Sequence, residues 1–267
     1  MTQPLPAPRP PMGAVNWIGL WTLFLREVRR FTKVHFQTIG APVVTALLFL
    51  AIFALAMGRA VTEVNGVPFM TFLAPGLIMM TVAQNAFANT SSSVIISKVQ
   101  GNIVDVLLPP LTPVELALGL ALGGVVRGLA VGLAVAVAMA FFVDMGIHHM
   151  GWILFHGLMA SMMLSLLGLI GGIWADKFDH MAAVTNFIIT PLSFLSGTFY
   201  SVERLPETFR ALAHANPFFY MIDGFRYGFI GQSDAPLALG AAVLIGVNLV
   251  LWLTVHRMIS TGYKLKT

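Results

Sequence analysis

VELALGLALGGVVRGLAVGLAVAVAMAFF, residues 114–142, holds one acid at its start, Glu115, and one cation near its middle, Arg127. Every other position is apolar or glycine. The hydrocarbon core of a bilayer is about 30 Å thick and takes about 20 helical residues to cross, so the stretch reads as a long transmembrane helix. The remainder of the chain agrees with it. Of 267 residues, 57% are hydrophobic and 10% are charged, whereas a soluble domain carries about 25% charged residues. Too little polar surface is present to solvate a globule of this size, and the alternative solvent is lipid. Alternating, turn-punctuated runs of about ten residues, the mark of a β-barrel, do not recur.

Working outward from that stretch, hydropathy predicts an all-α membrane protein of six transmembrane helices, near residues 40–57, 69–90, 114–142, 151–174, 181–199 and 236–255. Residues 1–15, MTQPLPAPRPPMGAV, are Pro-rich and lack the apolar core and cleavage site of an export signal. They read as a disordered leader before a single membrane domain, 16–267. Next comes WIGLWTLFLREVRRFTKVHF. There Trp17, Leu20, Trp21, Phe24, Val28 and Phe31 recur at helical spacing opposite Arg26, Arg29, Arg30 and Lys33. Such a helix suits the membrane interface, with half of a failed first span as the alternative.

Lys and Arg set the orientation. With the N-terminus inside, the cytoplasmic segments hold Arg9, Arg26, Arg29, Arg30, Lys33, Lys98, Lys177, Arg257, Lys264 and Lys266. The outer segments hold Arg59, Arg204, Arg210 and Arg226. Both termini are therefore expected in the cytoplasm, as is SKVQGNIVDVLLPPLTP, residues 97–113. On one helix, Lys98, Asn102 and Asp105 would line a polar side and Val99, Ile103, Val106 and Leu107 an apolar side, ended by Pro109 and Pro110. By pattern alone this is either a docking helix or an ordinary loop helix. The long outer segment between the last two spans is rich in Phe and Tyr. It predicts short re-entrant helices in the outer leaflet, with aromatics that serve as interface anchors or as guides for a sugar chain or lipid tail.

Arg127 is costly in hydrocarbon, about 2.5–3.5 kcal/mol, and must face protein or water. Its candidate partners are Gln84, Asn85, Asn89 and Ser92, in either an inter-helix clamp or a substrate contact. Gly119, Gly123, Gly124, Gly128 and Gly132 allow close helix approach, and Gly168 and Gly172 do the same for the fourth span. No Asp or Glu lies deep in a span, which disfavours an ion-coupled carrier. With no Cys, and with His148, His149 and His156 at no standard ligand spacing, no metal site is expected and the histidines are placed at the interface. No P-loop pattern occurs, so the chain is not an ATPase by itself. Its cations flank spans instead of forming a patch for nucleic acid.

KVQGNIVDVLLPPLTPVELALG with GGVVRGL, and PLSFLSGTFYSVERLPETFRALAHANPFFYMIDGFRYGF, resemble the ABC type-2 permease family, in its YadH-like branch. The resemblance implies a homodimeric permease in the bacterial inner membrane, served by two copies of a separate ATPase subunit that binds ATP and Mg. It implies a coupling helix contacting that ATPase through Lys98, Gln100, Asn102 and Asp105, with the interfacial helix beside it. It also implies an extracytoplasmic gate containing Gly197, Glu203, Pro206, Pro217, Tyr220 and Arg226, and export of a drug, lipid or lipid-linked glycan. An autonomous carrier or channel, or a membrane scaffold, is the alternative.

Overall fold

The structure, a computed structural model, describes residues 15–57 and 61–265. Residues 1–14 of the leader, Arg59 and Lys266 lie outside the described residues. Helix α1 (Trp17–Thr32) starts at Asn16, whose side chain accepts from the Gly19 amide at 2.9 Å. A π-helical turn, Phe36–Gly40, leads into α2 (Ala41–Met57). A two-residue hairpin follows, Glu63–Val64 against Val67–Pro68. Asn65 and Gly66 close it at φ of 53° and 77°, the positive pair that a tight hairpin turn requires. Among the described residues this hairpin is the one departure from the all-α expectation.

Helix α3 (Phe69–Val99) is the axis of the molecule and packs on α5 (Pro113–Ala140), α6 (Met150–Trp174) and α10 (Pro217–Ile230). Between α3 and α5 lies the short α4 (Ile103–Leu107). After α6 come α7 (Phe178–Val184), a second π-helical turn (Thr185–Ile189), α8 (Thr190–Leu195), a 3-10 turn (Val202–Arg204) and α9 (Glu207–Ala215). Helix α11 (Leu237–Thr261) ends the fold at Gly262, where φ is 68°. Close helix contact runs through small residues. A Cβ on Gly168 would lie 2.5 Å from the Phe87 carbonyl oxygen. Nearby, the Thr90 hydroxyl donates to the Ser165 carbonyl across the same α3–α6 contact at 2.8 Å.

Among the described residues, five helices are long and apolar enough to cross a membrane, at 36–56, 69–99, 113–140, 150–174 and 237–261. The expected span at 181–199 takes a different form, α7, π turn and α8 in succession, and the helix stops at Leu195. Two features explain this. Asp179, His180 and Asn186 dilute its apolarity, and Gly197 at φ 73° ends it early. Both π turns lie just ahead of a proline, Pro42 or Pro191. A proline ring clashes with the carbonyl four residues back, and a wider turn moves that carbonyl away.

The elements sort into two ends. One gathers α1, α4, the C-termini of α3, α6 and α11, and the N-terminus of α5; the other gathers the hairpin and residues 143–150 and 196–236. Gly168→Ala should overpack the α3–α6 contact and lower stability by about 1–3 kcal/mol. Gly246→Ala, in the interior of α11 where a Cβ would meet open space, should not lower stability and should raise it by up to about 1 kcal/mol. Thermal unfolding of both variants in one detergent checks the contrast, and equal melting would refute the packing assignment.

Candidate functional site

The inner-end geometry starts with one face of α1. Leu23, Glu27 and Phe31, each four residues apart, turn into the bundle. Gly119 and Gly123 of α5 receive them: a Cβ on Gly119 would lie 2.6 Å from Leu23 Cδ2, and one on Gly123 would strike the Glu27 side chain. Glu27 is fully buried. Its carboxylate accepts from Arg26 Nη2 at 2.9 Å and Ser93 Oγ at 2.8 Å, and Arg30 lies 3.3 Å away. Arg30 also donates to the Asn89 carbonyl (2.5 Å), Asn89 Oδ1 (3.0 Å) and Ser92 Oγ (3.0 Å). Of the four cations read as a solvent face, Arg26, Arg29 and Lys33 are exposed and Arg30 points into the bundle. Trp17 and Trp21 stay exposed on a third face, suited to lipid.

A second carboxylate joins three segments. Glu115, itself buried, accepts from the amides of Asn16 and Thr112, each at 2.6 Å, and from Thr112 Oγ1 at 2.9 Å. Asn16 Nδ2 donates to the Pro110 carbonyl at 3.2 Å. The start of α1, the chain leaving α4 and the start of α5 therefore share one anchor.

Residues 97–107 are not one helix. Helix α3 ends at Val99, and Gly101 at φ 74° re-aims the chain before α4. Ile103 and Val106 are buried as expected, but Val99, assigned to the apolar face, is exposed together with Val104 and Leu108. Gln100, Asn102 and Asp105 share that open surface. Lys98 does not. Its Nζ donates to the carbonyls of Ile173 (2.7 Å) and Ala175 (2.6 Å) and lies 3.5 Å from Asp176, capping α6. Lys264 reaches the same place, donating to the Trp174 carbonyl at 3.0 Å and Asp176 Oδ2 at 2.8 Å. The Lys264 hydrogen bond, outweighing partial desolvation, holds the Asp176 carboxyl below its ordinary pKa. That contribution to stability is present above the unfolded-state value and is lost as pH falls through the depressed one.

Farther along α3, Arg127 Nη2 donates to Asn85 Oδ1 at 3.2 Å, while Asn85 Nδ2 donates to the Thr81 carbonyl at 3.0 Å. Asn85 is thus the Arg127 partner that the sequence proposed, whereas Asn89 and Ser92 belong to Arg30. Gln84 and Asn85 also border a cleft of about 280 Å³ with Thr185 and Thr190.

At the other end, Arg226 is buried, donates to the Gly197 carbonyl at 2.6 Å and lies 3.9 Å over the Phe72 ring. Gly76 makes room for it: a Cβ there would lie 2.5 Å from the Thr198 carbonyl oxygen. Asn216 Nδ2 donates to the Leu192 carbonyl (3.0 Å) and Ser196 Oγ (2.8 Å), and its Oδ1 accepts from the Phe218 amide (3.0 Å). Asp223 accepts from the amides of Asp234 and Ala235, and Asp234 accepts from Ser201 Oγ and the Val202 amide. Gly197, Pro217, Tyr220 and Arg226 thus fall in one packed region, while Glu203 and Pro206 stand exposed at its rim. His148 and His149 lie at the start of α6 beside Gly228. His156 departs from the interfacial expectation: it is fully buried against Gly224. Among the described residues no group of three His, Cys, Asp or Glu side chains is placed to hold a metal.

The sequence reading missed Glu27 and Asp223. Glu27 had a signal, its position midway between Leu23 and Phe31 on the stripe that packs. Asp223 had none, since its partners at 234 and 235 lie across a turn.

Long apolar helices with an amphipathic helix tied across one end define a polytopic helical membrane protein. The family pattern of the ABC-2 type transporter matches residues 19–230, and the chain belongs to that family. It is 37% identical over 256 residues to the inner membrane transport permease YadH of Escherichia coli (strain K12), covering 96% of this chain and 100% of that protein. It is 25% identical over 259 residues to nodulation protein J of Rhizobium leguminosarum bv. viciae, covering 94% and 95% respectively. The nodulation protein J of Sinorhizobium fredii (strain NBRC 101917 / NGR234) is 23% identical over 88% of each chain.

Glu27→Ala should loosen α1 from the bundle by about 1–3 kcal/mol, the range for losing hydrogen bonds to a charged group. Tryptic cleavage after Arg29 and Lys33 should accelerate, with Glu27→Gln giving a smaller effect. Unchanged cleavage in Glu27→Ala would remove the carboxylate from the docking of α1.

Proposed function

We propose that this chain is the membrane half of an ATP-driven exporter in a bacterial inner membrane. Two copies form the path, and two copies of a separate ATPase subunit bind ATP and Mg beneath them. Six crossings, with the α7–π–α8 segment as the fifth, put both termini in the cytoplasm. The inner-membrane location is carried from the name of the YadH relative and the distribution of cations.

The observation that carries the reading is the exposed surface of residues 99–108. Val99, Val104 and Leu108 offer apolar contact there, while Gln100, Asn102 and Asp105 offer polar contact. Three exposed apolar side chains beside three exposed polar ones at the inner end suit contact with a partner. Glu115 supports the transport reading over a passive scaffold, because it ties the chain leaving that surface to α1 and to a membrane helix. The sparsely buried faces of α2 and α11 are available to lipid or to the second copy. Substrate is assigned only as a class, hydrophobic or amphiphilic, with the 196–236 region as the outer gate.

Purification of the tagged chain from its native membrane in mild detergent should recover a P-loop ATPase in equal amount, and Asp105→Arg should reduce that recovery several-fold by reversing charge on the contact. Recovery of the chain without an ATPase, under conditions that keep other such complexes whole, would turn the question to an autonomous carrier.

A further inference from the structure

Helix α6 borders two clefts that share Ile170 and Trp174 as a common wall. The first, about 480 Å³, lies between α6, α11 and the α7–π–α8 segment, with Pro217 and Phe218 of α10 also in its lining. Leu167, Ile188, Leu192 and Leu251 line it, and no charged side chain does. The second, about 470 Å³, lies lower between α6 and α11, where Thr254, Arg257, Thr261 and Tyr263 replace the aliphatic lining. From Met163 to Trp174 the α6 wall of the first cleft runs about 16 Å at the helical rise. Half the hydrocarbon thickness of a bilayer is about 15 Å. The slot therefore has the depth of one leaflet, with its polar mouth where α6 and α11 end.

The chemistry of the mouth is that of a phosphate site. Of the cations near the end of α6, two are already engaged, Lys98 on the carbonyls of Ile173 and Ala175 and Lys264 on Trp174 and Asp176, while Lys177, at the start of α7, does not line the cleft. Arg257 is exposed, and among the described residues its guanidinium makes no hydrogen bond or ion pair. Thr254 and Thr261 spend their hydroxyl protons on carbonyls of their own helix. That leaves Arg257, the Tyr263 hydroxyl and the Trp174 indole N–H as donors, and among the described residues no carboxylate lines the mouth to balance the guanidinium. Asp176 is paired twice, and among the described residues neither it nor Asp179 lines this cleft, so an ammonium headgroup would find no anion in the mouth. A choline group would also find Trp174 shared, since Lys264 Nζ stands 5.7 Å from its ring centre.

We propose that this slot holds a resident anionic phospholipid of the leaflet at the α6–α11 mouth. One acyl chain lies in the apolar cleft, and the phosphate sits on Arg257 and Tyr263. Trp174 and Tyr263 are the aromatic pair that interfacial depth favours. The site closes the gap between α6, α8 and α11 with lipid, and so the packing of the interrupted segment depends on what fills it. The inference needs only that the chain spans a bilayer, and it stands or falls separately from the ATPase reading.

Native mass spectrometry of the intact transporter, extracted from bilayers of equal phosphatidylglycerol and phosphatidylcholine with matched acyl chains, tests it. Wild type should retain phosphatidylglycerol in preference to phosphatidylcholine. Arg257→Gln should reduce that preference by about tenfold, as loss of a charge-assisted hydrogen bond implies. Leu167→Trp, which fills the apolar cleft but keeps Arg257, should reduce retention of both lipids. Equal retention of the two lipids by wild type would overturn the assignment, as would an unchanged preference in Arg257→Gln. Because the chain has no native cysteine, Leu251→Cys supplies a further arm. A disulfide between two copies at that position would mean that a second chain occupies the slot, and would overturn the lipid.

Discussion

A carboxylate inside a helical bundle is tolerated only where donors surround it, because desolvation otherwise exceeds any local gain. Glu27 meets that condition with two guanidinium groups and a serine hydroxyl. The donors come from two different helices, α1 and α3, while α5 supplies the glycine that lets the carboxylate in. Without Glu27, α1 would keep its anchor at Asn16 and its apolar contacts through Leu23 and Phe31, but would lose the charged link at its middle. With it, α1 has a fixed register against two membrane helices. The tight spacing at Gly119 and Gly123, the burial of Leu23 and the inward turn of Arg30 all follow from that register.

Fixing α1 also fixes what lies next to it. Asn16, the cap of α1, hands its amide to Glu115 and its side-chain donor to Pro110. A force on the exposed 99–108 surface has two covalent routes into the membrane, back through α3 and forward into α5. Its non-covalent routes run through Glu115 to α1 and through the buried Ile103 and Val106 to the side chains of α1, α5 and α6. The residues that would feel a partner are thus not the residues that carry the force. Gln100, Asn102 and Asp105 face outward, whereas Glu115, Asn16 and Thr112 are turned to one another behind them. For the proposed ATP-driven cycle this division matters, since a docking surface on a loose loop would absorb a push and not pass it on.

Much of this was legible in the sequence where a property is additive along the chain. Apolar length located α2, α3, α5, α6 and α11, and the expense of a cation in hydrocarbon pointed from Arg127 to the amides of α3, where Asn85 indeed receives it. What was hidden depends on single backbone angles or on partners far away in sequence. Gly101 in the left-handed region splits an apparent helix in two, and so Val99 and Lys98 do not face where helical periodicity sends them. Lys98 reads as a surface cation until the free carbonyls at the end of α6, some 75 positions later, are brought beside it. Pro191 was visible inside the fifth span, but the widening of the helix ahead of it is a local response that composition does not encode. Glu27 was hidden by its neighbours, because three nearby cations made the whole side look solvated.

The polar residues of α3 gain a common meaning once they are placed on one helix. Thr81, Asn85, Asn89 and Ser93 follow one another at intervals of four and so lie along one stripe. Each meets a different element of the polar system: Thr81 supports Asn85, Asn85 meets Arg127 of α5, Asn89 meets Arg30 of α1, and Ser93 meets Glu27. On the same helix, nearer its start, Gly76 admits Arg226 and the Gly197 turn of the opposite end. An apolar α3 would bind its neighbours by shape alone and would tolerate sliding by a turn. A ladder of hydrogen bonds at single positions does not, because a shift of one turn would move every donor to the next rung and leave Glu27 without Ser93. Helix α3, the most buried of the five long apolar helices, therefore holds α1 and α5 at one end and the packed 196–236 region at the other in one register.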